Sequence, residues 1–66
     1  MNWNREAIES LARKLGEARG EGYPPLTLDQ LAEVTGVSKG TLCRIQTGAL
    51  SPGVKVQERL AKAWNS

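Results

Sequence analysis

The stretch "TLDQLAEVT" runs into Gly36, Val37 and Ser38, and then into "KGTLCRIQTG". That spacing limits the folds open to the chain more than any other feature. Thr27 and Gln30 stand at capping-box separation, where the hydroxyl takes one end amide and the glutamine reaches back to the other. Leu28, Leu31 and Ala32 follow as an apolar stripe at helical spacing. Gly36 is a helix stop, expected in a left-handed conformation that a Cβ would penalise. Ser38 is already the next N-cap, and Leu42 and Ile45 give the second helix an inward i, i+3 pair. Two short helices therefore meet through about three residues. Val37, Leu42 and Ile45 are expected to plug the angle between them, and Ala32 is small enough to let them cross closely.

The flanking sequence supplies the remaining core. Ala7, Ile8, Leu11, Ala12, Leu15 and Ala18 recur at helical spacing between about Trp3 and Arg19. Arg5, Glu6, Glu9, Arg13 and Glu17 fall on other faces. Asn2 or Asn4 is the expected cap of this helix and Gly20 its stop, after which "GEGYPP" forms a loop. Beyond "ALSP", Ser51 as cap and Pro52 at the first helical position predict a last helix reaching about Trp64. Val56, Leu60, Ala63 and Trp64 would face inward, with Lys55, Glu58, Arg59 and Lys62 in water. The expected fold is all-α, a compact orthogonal bundle of four helices. Residues 1–66 make one domain, with a helix-turn-helix over about 27–47.

Charge is arranged rather than abundant. The formal net charge is only +2. Between Glu33 and Glu58 there is no carboxylate, yet Lys39, Arg44 and Lys55 fall there, a local positive surface suited to a polyanion. One cysteine, Cys43, excludes an intrachain disulfide, and without histidine there is no zinc set. No metal, cofactor or small-molecule ligand is expected. Neither a nucleophile–base pair nor paired carboxylates point to an enzyme. The chain opens on Met without a leader, and no apolar run approaches a membrane span, so a whole chain in a reducing cytoplasm is expected.

"LTLDQLAEVTGVSKGTLCRIQTG" followed by "SPGVKVQERLAKAW" resembles the lambda-repressor/Cro-like (XRE-type) helix-turn-helix family over roughly residues 26–64. The same motif is similar, less fully, to tetracycline-repressor and lac-repressor types. The first of these normally places an aromatic pair near Cys43 and Gln46. The second begins its motif almost at the N-terminus, whereas 25 residues precede Leu26 here. Several positions depart from the lambda-type pattern. Leu28 replaces a phosphate-touching glutamine, Gln46 a common glutamate and Thr47 a common asparagine. "EGYPP" lengthens the first turn, and the fifth helix often used for dimerisation is not expected within these 66 residues.

The resemblance implies a small dimeric repressor that places helix 38–47 in the major groove of a palindromic operator, and a chain this short suits a phage or mobile-element regulator, an antitoxin or an autoregulator of a defence-related operon alike. On the outward face of that helix, Lys39, Gly40, Cys43 and Arg44 are the expected base readers, with arginine and lysine suited to a guanine edge. Thr27, Ser38, Thr41 and Thr47 are the expected phosphate contacts, and Trp64 a candidate for the dimer interface. The alternative is the same fold used as a protein-interaction module, an antitoxin or adaptor. No membrane contact is expected.

Overall fold

The computed structural model describes residues 2–65. Among them there are four helices and no strand: α1 (Arg5–Ala18), α2 (Leu28–Thr35), α3 (Lys39–Thr47) and α4 (Val54–Trp64). α1 packs on α3 and α4, and α2 packs on the same two helices. The core draws on all four, with Ile8 and Leu11 from α1, Leu31 from α2, Leu42 and Ile45 from α3, and Leu60 and Ala63 from α4.

The first three helices begin in one way. Each has a side-chain cap: Asn4 accepts from the Ala7 amide at 3.0 Å, Thr27 from Gln30 at 3.2 Å, and Ser38 from Thr41 at 3.2 Å. Each also has an apolar residue just before the cap and another four residues after it. These pairs are Trp3 with Ile8, Leu26 with Leu31, and Val37 with Leu42, and all six belong to the core or pack against it. The Thr27 box is closed by Gln30 Oε1, which accepts from the Thr27 amide at 2.9 Å.

α4 departs from this and from the sequence expectation. Neither Ser51 nor Pro52 opens it; Gly53 is the N-cap and makes no side-chain cap bond. Proline at a first helical position permits a start but does not impose one. Here Gly53 is extended, at φ −75° and ψ 176°, so helical backbone begins only after it. The Gln57 side chain instead donates through Nε2 back to the Pro52 carbonyl at 2.9 Å.

Three further expectations shift. α1 ends at Ala18, one turn tightening as the Arg19 and Gly20 amides bond three residues back, so Gly20 follows the stop rather than making it. Ala18 is exposed, not part of the stripe. Arg59 is exposed but not merely solvated, because its guanidinium donates to the Gly36 carbonyl at 3.0 Å. The loop after α1 lies along that helix, and its Leu26 amide bonds to the Ala12 carbonyl at 3.1 Å. Gly16, buried on α1, leaves room for the Pro24–Pro25 backbone. No helix is long and apolar enough to cross a membrane among the described residues.

Candidate nucleic-acid interface

The orientation of α3 is fixed first at its N-terminal turn. Gly36 closes α2 at φ 76°, ψ 9°, and its amide bonds to the Ala32 carbonyl. Thr35, unremarked in the sequence, is the polar residue buried here. Its hydroxyl donates to the Leu31 carbonyl at 2.7 Å and accepts from the Val37 amide at 3.1 Å. A threonine hydroxyl can bond the carbonyl four residues back in any helix, so only its burial reveals this role. With Arg59 holding the Gly36 carbonyl from α4, the turn is pinned from two sides.

At its other end α3 stops at Gly48, φ 81° and ψ 5°. The Arg44 carbonyl there gathers the Ala49 and Leu50 amides at 2.9 and 3.2 Å, so the chain turns away under the helix end. Leu42 and Ile45 are buried. Lys39, Gly40, Cys43, Arg44 and Thr47 are therefore left exposed together, which is the face expected of base readers.

Within that face the side chains are not equally available. Arg44 has no side-chain partner among the described residues, and its guanidinium keeps all its donors for a ligand. Lys39 is engaged: its Nζ lies 3.3 Å from Asp29 Oδ1, on the first turn of α2. This corrects the reading of a carboxylate-free patch, since Asp29 is ten residues away in sequence but adjacent in space. The pair is exposed on both sides and worth about 0–1 kcal/mol, little enough for a phosphate to compete for the lysine.

The four hydroxyls differ in the same way. Thr27 and Ser38 each accept a helix amide, as N-caps do. Ser38 also donates to Thr41 Oγ1 at 2.8 Å, which occupies its proton and leaves that of Thr41 free. Thr47 donates to the Arg44 carbonyl at 3.2 Å. Thr27 and Thr41 thus retain a proton for an acceptor such as a phosphate oxygen, while Ser38 and Thr47 have spent theirs inside the chain.

Gly40 meets open space: a Cβ built there has no heavy atom within 4 Å. Packing does not require glycine at this position. Cys43 is an exposed free thiol, and no group of residues able to hold a metal ion occurs among the described residues. Trp64 sits away from this face, half-buried, with its ring edge-on to Trp3 at 6.5 Å between centroids. The Lys14 ammonium lies over its indole and donates to its carbonyl. No protein-family model, curated protein or solved structure matches the chain.

Proposed function

We propose that this chain is a non-enzymatic, sequence-specific double-stranded DNA-binding regulator, in which α2 and α3 act as a helix-turn-helix within an orthogonal bundle. The single observation that carries this reading is the exposed face of α3. It offers an unpartnered arginine, a releasable lysine and an uncluttered Gly40 backbone, on a helix pinned at both ends. In this reading Arg44 takes a guanine edge through two parallel bonds, and Lys39 leaves Asp29 for a base or a phosphate. The free hydroxyls of Thr27, at the start of α2, and Thr41, in the first turn of α3, each lie where helix amides and dipole favour a phosphate oxygen. Two copies would place their α3 helices in successive major grooves about 34 Å apart on a near-palindromic operator, as a repressor does.

Selection of duplexes from a random DNA pool, followed by binding titrations at several salt concentrations, tests the proposal. Affinity should fall steeply as salt rises. Arg44→Ala should lose about tenfold to a hundredfold in affinity for the selected site, as expected for one bidentate base contact, with little change on random DNA. Asp29→Asn should move the other way and tighten binding to all duplexes, because it removes a carboxylate beside the phosphate path. A salt-insensitive interaction, or an Arg44→Ala protein that binds the selected site as well as the parent, would sink the DNA reading.

A further inference from the structure

α4 presents an outward stripe that the bundle does not cover. Val54, Glu58, Ala61 and Asn65 recur at helical spacing along it, and Val54 at 72% is the most exposed large apolar side chain among the described residues. Beside the stripe, Trp3, Gln57 and Trp64 complete a shallow groove with a largely apolar lining. Leu60 and Ala63 point the opposite way, into the core, while Val54, Glu58 and Asn65 of the stripe are exposed and Ala61 is half-buried.

We infer that this face of α4 is the self-association surface, on which a second copy packs its own α4 antiparallel about a two-fold axis. Charge placement is what selects a second copy. Glu58 and Lys62 lie one turn apart on the same flank of the stripe, and neither side chain has a partner among the described residues. In an antiparallel pair related by a two-fold axis, each flank meets the same flank of the other helix. Glu58 then stands opposite Lys62 of the other copy, and Lys62 opposite its Glu58, so the pairing satisfies both charges twice. Val54 of each copy, within the stripe, then faces the groove beside the other's Trp64.

The surface is also of a size that sets the strength. An 11-residue helix is about 16 Å long and covers less than the roughly 800 Å² per partner of a standard stable interface. The dimer is therefore weak in free solution and would be completed on DNA. This inference rests on the two-copy element of the proposed function but on neither the operator nor the base readers.

Sedimentation of the full chain without DNA, from micromolar to millimolar concentration, is the test. A monomer–dimer equilibrium is expected, accompanied by a concentration-dependent change in the emission of Trp3 and Trp64, the two tryptophans of the chain. Val54→Asp should weaken dimerisation at least tenfold while leaving the helical circular dichroism unchanged, since Val54 is not part of the core. Glu58→Lys and Lys62→Glu should each weaken it severalfold, and the double reversal should restore it. Monomer at every concentration would overturn the inference and leave the face to an unlike partner. So would a Val54→Asp protein that dimerises like the parent, or a double reversal that stays as weak as the single ones. Arg44→Ala should dimerise normally, so loss of DNA binding with the dimer intact counts against the DNA reading alone.

Discussion

Gly16→Ala should destabilise the fold by about 3 kcal/mol, at the upper end of overpacking effects, whereas Gly40→Ala should be neutral or stabilising by up to about 1 kcal/mol. The two substitutions are chemically identical and both fall in helices. At Gly16 the added Cβ would overlap the Pro24 carbonyl oxygen and stand 3.0 Å from Pro25 Cα. Both obstacles are backbone, and a proline pair cannot swing aside like a flexible side chain. The loop must lift instead, putting at risk the Leu26–Ala12 backbone bond and the seat of Leu26 against the core. At Gly40 the Cβ projects into solvent, and the only effect is lower backbone entropy in the unfolded chain. Thermal unfolding separates the cases: for a domain this small, about 3 kcal/mol lowers the midpoint by roughly 12–24 °C. A Gly16→Ala midpoint within a few degrees of the parent would mean that the loop does not lie against α1.

Leu42→Ala should remove a large share of the stability of the fold. The side chain is fully buried in the core that α3 shares with α1 and α2. Its truncation should cost about 2–5 kcal/mol in transfer and cavity terms. A 66-residue domain has roughly 3–10 kcal/mol in total. Leu42→Met, which keeps the volume, should cost less than about 1.5 kcal/mol. Urea titration of the three proteins checks this, and parent-like stability of Leu42→Ala would contradict the assigned inward face of α3. Because Leu42 and Arg44 lie on opposite faces, the two variants also divide the possible causes of lost binding. A saturating duplex should restore folding to Leu42→Ala by mass action but should not restore affinity to Arg44→Ala.

Features written in neighbouring residues were legible in the sequence. The Thr27–Gln30 box, the Gly36 stop and the Ser38 cap all stand where expected, because each is an interaction within five residues. The outward set on α3 followed from Leu42 and Ile45 for the same reason. What escaped was the part of the site made by approach through space. Asp29 reaches Lys39 only because α2 and α3 fold together, and Arg59 reaches the Gly36 carbonyl only because α4 returns to α2. Gly16 carries no local signal of the Pro24–Pro25 backbone that lies against it. Ser51–Pro52 failed in the reverse sense, a plausible local start signal set aside by an extended Gly53.

The unequal helix starts also bear on the order in which structure is gained and lost. α1, α2 and α3 each hold a cap and an apolar pair within six residues, so their first turns can form and re-form from local information. α4 has no such nucleus, and its first turn persists only while Leu60 and Ala63 are docked. The Gln57 amide bonds to the Gly53 carbonyl at 2.9 Å, a length matched by Leu31 to Thr27, yet the two bonds should open with different frequency. Under native conditions the Gln57 amide should exchange with solvent deuterium faster than those of Leu31 and Leu42, its counterparts in α2 and α3. Equal protection of the three would mean that a docked helix gains nothing from carrying its own beginning.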